Sequence, residues 1–173
     1  MDFNNKVVLI TGLSLSVAEK HAFPPSLPSA GSSSGIGEAT ALKFASLGAV
    51  VVITGRDAHK MASVAHKCRH VSAKEVLEVE SDLTQESDAA ALVETTIGRF
   101  GRLDVLVTNE GAVVYHSATD PNLLALFDAA FESGVRAVLR LIALCVPHLQ
   151  RTKGSVVNVS SSAANKPVCV TCY

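Results

Sequence analysis

The sequence predicts an α/β fold in which helices cover both faces of a doubly wound parallel sheet. Short runs of β-branched and aliphatic residues alternate with longer helical patterns along the chain. The predicted strands are nearly continuous Val, Ile and Leu, which is typical of strands with both faces covered. The chain has 173 residues, of which 48% are hydrophobic, so it can bury one substantial core. We therefore interpret residues 1–173 as a single domain.

The predicted elements repeat a strand-helix unit. The strands read KVVLITG, AVVVITG, VLEVESD, LDVLVTNEG and GSVVNVSS in chain order. The helical segments read GEATALKFASLG, DAHKMASVAHKCRH, ESDAAALVETTIGRFG and PNLLALFDAAFESGVRAVLRLIALCVPHL. Ligands of such sheets bind outside the carboxyl ends of the strands, where the strand order reverses. We therefore expect the chemistry directly after each strand.

One segment interrupts this rhythm between the first strand and the first helix. Residues 13–31 place 19 residues where a strand-to-helix loop normally has about two to six. Pro24, Pro25 and Pro28 exclude a regular helix or a central strand through its second half. We interpret the segment as an insertion. Its FPPSLPSAG stretch is typical of a retained intron, because most codons for Phe, Pro, Leu and Ser begin with pyrimidines.

Charge and hydropathy exclude two classes of partner. Fifteen Lys and Arg residues against sixteen Asp and Glu residues give a net charge of −1, which disfavours nucleic acid. The apolar stretches at 48–54 and 137–147 are shorter than the roughly 20 residues that a membrane span needs. The first residues, MDFNNKVVLITG, lack the pattern of a signal peptide. We therefore expect a cytoplasmic protein that binds no nucleic acid and no membrane.

The four cysteines of the chain are Cys68, Cys145, Cys169 and Cys172. They are too few for a disulfide scaffold, so we expect thiols. The Cys169-x-x-Cys172 pair has no second pair of ligands that would complete a zinc site. Cys68 alternates with His66 and His70 in a basic stretch, which favours solvated side chains at the end of a helix over a metal cluster. We therefore predict no metal site.

A glycine-rich turn appears when the insertion is set aside. Thr11 and Gly12 then join the segment SSSGIG at 32–37, and a helix follows at once. The glycines let the backbone approach a phosphate group closely, and the first amides of the helix stabilise its charge. Because the turn follows a strand and opens a helix, it favours dinucleotide binding. A tight turn without a ligand is the alternative.

Four segments of the chain resemble the short-chain dehydrogenase/reductase family in order and spacing. They are the glycine-rich turn, similar to TGxxxGxG, DLT at 82–84, GRFGRLDVLVTNEGA at 98–112, and GSVVNVSS, which ends at Ser161. The resemblance covers residues 5–173 apart from the insertion. It implies a Rossmann-like fold that is incomplete at its C-terminus, because the sequence stops well before the end of a typical family domain.

The family pattern implies which residues line the dinucleotide. The residues implied at the pyrophosphate are Gly12 or Gly31, Ser33, Ser34, Gly35, Ile36 and Gly37. Asp82 and Leu83 would hold the adenine, and Asn109 and Gly111 match two positions of the family's NNAG. Arg56 follows the second strand, where an arginine pairs with the 2′-phosphate of NADP and a carboxylate would bind the ribose of NAD. The resemblance therefore implies that NADP(H) is favoured over NAD(H), with a plain surface charge as the alternative for Arg56.

Two acidic residues stand next to these positions. Asp57 is expected to cap the helix that follows Arg56. Glu110 replaces a neutral residue of NNAG and places a carboxylate beside an anionic cofactor. Unless the Glu110 side chain points to solvent, we expect it to weaken cofactor binding by like-charge repulsion.

The family's catalytic serine and tyrosine correspond to Ser161 and Tyr173. The resemblance implies that Ser161 polarises the substrate oxygen and that Tyr173 is the general acid/base. Ser160 is an alternative, because the interval from Ser161 to Tyr173 is one residue shorter than the family pattern; an ordinary strand end is the alternative for the serine run. The sequence does not reach the lysine of YxxxK, and Gly134 stands in place of the family's active-site Asn. We therefore expect impaired catalysis.

The resemblance implies an NAD(P)-dependent oxidoreductase that interconverts an alcohol and a carbonyl compound by hydride transfer. The alternative is an inactive, truncated or mis-spliced family member that at most binds a nucleotide or a partner subunit. The long helical segment at 123–146 is apolar on more than one face, so a homo-oligomer is left open.

Overall fold

The computed structural model describes residues 2–12, 35–110 and 119–160. The strands in these residues are β1 (Val7–Ile10), β2 (Val50–Gly55), β3 (Val76–Glu80), β4 (Val105–Thr108) and β5 (Ser155–Asn158). The helices are α1 (Ile36–Ser46), α2 (Ala58–Val71), α3 (Glu86–Phe100), α4 (Leu123–Phe131) and α5 (Ala137–Thr152), and a π-helical turn (Glu132–Arg136) joins α4 to α5. All pairings between these strands are parallel. The predicted α/β fold with a parallel sheet is confirmed.

The sheet has the order β3-β2-β1-β4-β5. The chain therefore moves outward from β1 through β2 to β3, and then crosses back to lay β4 on the other side of β1. In the register, Ile10 of β1 lies opposite Ile53 of β2 and Val107 of β4. The segments that follow these three strands consequently leave the same edge of the sheet, with the reversal of strand order between β1 and β4.

Two apolar layers explain why the inner strands are aliphatic without interruption. Because successive side chains of a strand point to opposite faces, Val8 and Ile10 pack with α1 and α2, whereas Val7 and Leu9 pack with α3 and α5. Full burial of such a side chain stabilises the fold by roughly 1.5 to 3 kcal/mol. Both layers are therefore needed to hold the central strands.

Among the described strands, β5 is exposed where the inner strands are covered on both faces. Val156 and Val157 are 38% and 46% exposed, since no described element packs over them. The helix α4 is also uncovered within the described residues, with Leu124 78% and Phe127 60% exposed. The described residues thus cover the central strand β1 more completely than the edge strand β5.

The Cys68 side chain is buried, whereas the sequence analysis predicted a solvated one. The residue belongs to α2, as expected, but its side chain is fully buried against the sheet, whereas His66 and His70 are exposed. Burial raises the pKa of the Cys68 thiol to about 11. The three side chains therefore do not share one solvated surface, because alternate positions of a helix face different directions.

Asp104 lies at the amino-terminal edge of the sheet, directly before β4. Its carboxylate accepts hydrogen bonds from the Val7 amide at 2.9 Å and from Arg102 at 2.8 and 2.6 Å, and Lys6 Nζ lies 3.4 Å away. Burial by itself raises the pKa of Asp104, but the hydrogen bonds from Arg102 and Val7 outweigh it and hold the pKa below its ordinary value. Asp104 thus ties the start of β1 to the start of β4.

Candidate functional site

The carboxyl ends of β1 and β4 meet where the strand order reverses. The Asn109 side-chain amide donates to the Gly12 carbonyl at 3.2 Å, and the Asn109 backbone amide lies 3.4 Å from Thr11 Oγ1. Gly12 has a φ of +72°, and a Cβ added to it would lie 2.1 Å from the Asn109 carbonyl oxygen. The structure therefore brings together two residues that the sequence placed at the cofactor, and it requires glycine at position 12.

The predicted phosphate turn is described from Gly35 onward. Gly35 is the N-cap residue of α1 and, because glycine has no side chain, it provides no side-chain cap to the helix amides. Gly37 is buried in the first turn, whereas Ile36 is 53% exposed. An uncapped start of a helix leaves amide donors and the positive end of the helix dipole, which suits a phosphate group.

Arg56 leaves the end of β2 and is exposed. It makes no hydrogen bond or ion pair with the residues that the structure describes. Asp57 caps α2 as predicted, since its Oδ1 accepts a hydrogen bond from the Lys60 amide at 3.0 Å. Arg56 is thus exposed at the end of β2, while the neighbouring Asp57 carboxylate caps the helix.

The predicted adenine loop lies between β3 and α3. Asp82 accepts hydrogen bonds from Thr84 through both its amide, at 3.1 Å, and its hydroxyl, at 2.8 Å. Leu83 is 8% exposed, and its side chain packs in the core layer against α3 and α5. Leu83 can therefore meet a ligand through its backbone, whereas the Asp82 side chain holds the shape of the loop.

Glu110 follows Asn109 at the same edge, and it is only partly exposed. Burial raises the pKa of the Glu110 carboxyl above its ordinary value, and the nearby charge of Asp82 raises it further. The Thr11 hydroxyl, the Arg56 charge and the Gly12 amide act in the opposite direction without cancelling the burial. The carboxylate is thus close to Thr11 and Gly12, inside the candidate site, where the sequence analysis expected it to oppose an anion.

Several predicted residues lie outside the described residues. These are the insertion at 13–31, with its Gly31, and Ser33, Ser34, Gly111, Ser161, Tyr173, Cys169 and Cys172. The description ends at Ser160, two residues beyond β5. The end of β5 is held against β4, because the Thr108 hydroxyl donates to Asn158 at 2.5 Å and the Val159 amide donates to the Thr108 carbonyl at 2.8 Å.

Gly134, predicted to replace an active-site asparagine, lies in the π-helical turn. In the residues that the structure describes, no group of three or more His, Cys, Asp and Glu side chains could hold a metal ion. The same residues contain no helix long and apolar enough to cross a bilayer.

Two contributors to the site carried no recognisable signal in the sequence. Thr54, at the end of β2, is 1% exposed, and its Oγ1 has no hydrogen-bond partner among the described residues. Arg140 reaches from α5 to the adenine loop and donates to the carbonyls of Leu83 and Thr84. A threonine in a strand and an arginine in an amphipathic helix are both ordinary, so neither position could be singled out.

A comparison with protein families decides the relationship. The family model described as short chain dehydrogenase matches residues 29–173. The chain belongs to the short-chain dehydrogenase family. It is 33% identical over 164 residues to the 11-beta-hydroxysteroid dehydrogenase-like protein 4A of Arabidopsis thaliana. This match covers 92% of this chain and 47% of that protein. The chain thus spans about half the length of this curated relative.

Two solved structures share the fold of this chain. The apo form of a glucose dehydrogenase from Caenorhabditis elegans is 33% identical, with a TM-score of 0.73, over 94% of this chain and 57% of that one. The NADH-dependent reductase A1-R′, solved with NAD, is 27% identical, with a TM-score of 0.76, over 94% of this chain and 62% of that one. The Rossmann-like architecture inferred from the sequence is therefore confirmed.

Proposed function

We propose that the protein is an NAD(P)-dependent oxidoreductase that interconverts an alcohol and a carbonyl compound by hydride transfer. The observation that carries the proposal is the meeting of Gly12 and Asn109 at the reversal of strand order, beside the uncapped start of α1. Parallel sheets bind dinucleotides at this place. Membership of the short-chain dehydrogenase family supports the same chemistry.

The described residues suit the two halves of a dinucleotide differently. The amides at Gly35, Ile36 and Gly37 would receive the pyrophosphate, because a helix start attracts negative charge. The loop at Asp82 and Leu83 would receive the adenine, on the side of the site formed by β2 and β3. Ser33, Ser34, Gly111 and Gly12 or Gly31 complete the proposed cofactor residues.

We propose that NADP(H) is favoured over NAD(H). Arg56 is exposed at the end of β2, and its neighbour Asp57 is engaged by the Lys60 amide. An exposed arginine pairs well with the 2′-phosphate of NADP. A chain that binds NAD would carry a carboxylate after the second strand to bind the ribose hydroxyls, and Arg56 stands there instead. The preference of the relatives does not decide this point, since A1-R′ is named an NADH-dependent reductase.

The nicotinamide cofactor, when bound, supplies or accepts the hydride. Ser161 is proposed to hold the substrate oxygen, and Tyr173 is proposed to give or take the proton at that oxygen. A tyrosine hydroxyl has an ordinary pKa near 10, so it needs a neighbouring positive charge to exchange a proton readily at neutral pH. The substrates would be small alcohols and carbonyl compounds.

Three broader assignments accompany this proposal. We interpret residues 1–173 as one dinucleotide-binding domain interrupted at 13–31. The free thiols Cys68 and Cys145, buried on opposite faces of the sheet, support a reducing compartment such as the cytoplasm. The exposed apolar residues of α4 support a homo-oligomer.

Calorimetric titration with NADPH and NADH, followed by an assay of NADPH oxidation with a panel of small carbonyl compounds, tests the proposal. We expect NADPH to bind at least tenfold more tightly than NADH, because charge-assisted pairs contribute about 1.5 to 3 kcal/mol. Arg56→Ala should abolish the preference, whereas Arg99→Ala, an exposed arginine paired with Glu75, should not. Failure of both dinucleotides to bind would overturn the proposal, and binding without turnover would favour a nucleotide-binding protein without catalysis.

A further inference from the structure

Arg140 connects helix α5 to the loop between β3 and α3. Its Nη1 atom donates to the Leu83 carbonyl at 3.3 Å and to the Thr84 carbonyl at 3.2 Å. These residues are 57 and 56 positions apart from Arg140 along the chain. The Arg140 side chain is 23% exposed, so the guanidinium lies largely within the protein. One cation therefore holds two successive carbonyls of a loop that belongs to another part of the fold.

Several other polar groups of this loop are engaged within the loop or by the start of α3. The Asp82 carboxylate accepts from Thr84, and the Asp82 amide donates to Asp88 at 3.0 Å. The Gln85 amide donates to the Asp82 carbonyl at 2.8 Å. The Leu83 and Thr84 carbonyls are thus the groups through which α5 holds the loop. Without Arg140, these two carbonyls lose their described donor.

Glu132 directs the Arg140 side chain. Its Oε1 lies 3.4 Å from Arg140 Nη2, while its Oε2 lies 2.9 Å from Arg136 Nε. Residues eight apart on an α-helix lie about 80° apart around its axis, since each residue turns the helix by about 100°. The π-helical turn at Glu132–Arg136 lies between these positions and takes extra residues per turn, which reduces that angle. Glu132 is therefore placed to act as a carboxylate partner of Arg140.

We propose that Arg140 is a positioning residue for the adenine end of the site, and that its contact with the Leu83 and Thr84 carbonyls sets the affinity for the adenosine half of the dinucleotide. The proposal rests on the proposed function, because it assumes that the loop at 82–84 meets adenine. Leu83 offers its backbone and not its side chain, so the placement of that backbone decides the fit. The planar guanidinium suits this task, since it can bond two carbonyls and a carboxylate together.

The test measures the affinity for ADP-ribose, which carries adenosine and pyrophosphate without nicotinamide. Arg140→Met should weaken ADP-ribose binding about tenfold, and Arg140→Lys should fall between this variant and the wild type, because an ammonium group cannot reproduce the planar set of donors. Glu132→Gln, which keeps Arg140 but removes its charged partner, should weaken binding by roughly threefold. The thermal midpoint of each variant separates a loss of affinity from unfolding.

Arg136→Met is the matched control. Arg136 shares Glu132 with Arg140 and lies one turn earlier, but its side chain is 63% exposed and has no contact with the adenine loop among the described residues. We expect its affinity to stay within twofold of the wild type. An Arg140→Met variant with unaltered affinity, or an equal loss in Arg136→Met, would overturn the proposal.

Hydrogen exchange separates this inference from the proposed function. In the free protein, the amides at 82–85 should exchange faster in Arg140→Met than in the wild type or Arg136→Met. Unchanged exchange would overturn the positioning role. If the wild type does not bind ADP-ribose, dinucleotide binding itself fails, and faster exchange would then support only the hold of Arg140 on the loop.

Discussion

The two ends of β4 each carry a carboxylate, and the two are treated differently. Asp104, before the strand, is almost fully buried and receives hydrogen bonds from Val7 and Arg102, so its pKa falls below the ordinary value despite burial. Glu110, after the strand, has a raised pKa because burial outweighs the influence of Thr11, Arg56 and Gly12. The Asp104 carboxylate therefore has enough donors to offset its burial, whereas the Glu110 carboxylate does not.

This difference separates stability from function. The donors around Asp104 join β1 to β4 and compensate its charge within the protein. The edge at Glu110 contains a glycine at positive φ, a helix start without a side-chain cap and the Thr54 hydroxyl, which has no partner among the described residues. Undercompensated groups cost free energy in the empty protein and become useful when a ligand supplies their partners. The amino edge therefore holds the fold, and the carboxyl edge is the part suited to binding.

Gly12→Ala should have the largest effect at the carboxyl edge. The variant combines a left-handed backbone, which costs an L-residue about 1 to 2 kcal/mol, with a Cβ placed 2.1 Å from the Asn109 carbonyl oxygen. We expect the free energy of unfolding in urea to fall by at least about 2 kcal/mol, and dinucleotide binding to be lost. Gly98→Ala is the control, since a Cβ there meets nothing within 4 Å in the last turn of α3. That control should gain up to about 1 kcal/mol, and wild-type behaviour of Gly12→Ala would show that the close contact is not required.

Asp104→Asn should break the amino edge. It removes the charge that Arg102 and Lys6 approach, and we expect a loss of about 2 to 3 kcal/mol in urea unfolding at pH 7. Because the folded pKa of Asp104 is lowered, its contribution is present above the unfolded pKa of about 3.9 and is lost as the pH falls through the folded pKa. The gap between variant and wild type should therefore close in acid. The exposed Asp128 of α4 supplies the control, with Asp128→Asn expected within about 0.5 kcal/mol.

Glu110→Gln should increase cofactor affinity and stability at neutral pH, in contrast to the losses expected for Gly12→Ala and Asp104→Asn. Removing the carboxylate is expected to strengthen NADPH binding about tenfold, since it removes repulsion near the phosphates. The folded pKa is raised, so the stability contribution of Glu110 is complete below its unfolded pKa of about 4.3 and is lost as the pH rises through the folded pKa. The variant should therefore gain stability over the wild type at neutral pH and lose that advantage in acid. Weaker NADPH binding by Glu110→Gln in a calorimeter would refute the repulsion.

Thr54→Val should have the smallest effect. The substitution removes a buried hydroxyl that has no partner among the described residues, so we expect unfolding free energies between the wild-type value and a gain of about 1 kcal/mol. Thr108→Val is the matched control at the end of β4, where the hydroxyl donates to Asn158 at 2.5 Å, and it should lose about 1 kcal/mol. A loss at Thr54 as large as that at Thr108 would show that the Thr54 hydroxyl is bonded.

Local features of the site were predictable from the sequence. The Asp57 cap was predicted because it depends on an amide three residues away. Gly12 was one of two candidates, with Gly31, for the glycine of the turn that follows the first strand, and Asn109 was predicted from the family pattern. The buried side of Cys68 was missed, because a short basic stretch does not show which helical positions face the sheet.

The sequence by itself determined the alternation of strands and helices, the parallel character of the sheet and the family, because each depends on patterns a few residues long. Only the tertiary structure decided that Asn109 meets Thr11, 98 residues away, and that Arg140 contacts the loop between β3 and α3. It also decided the opposite environments of Asp104 and Glu110. Charge compensation depends on how many donors surround a group in three dimensions, and the spacing of residues along a chain does not contain that number.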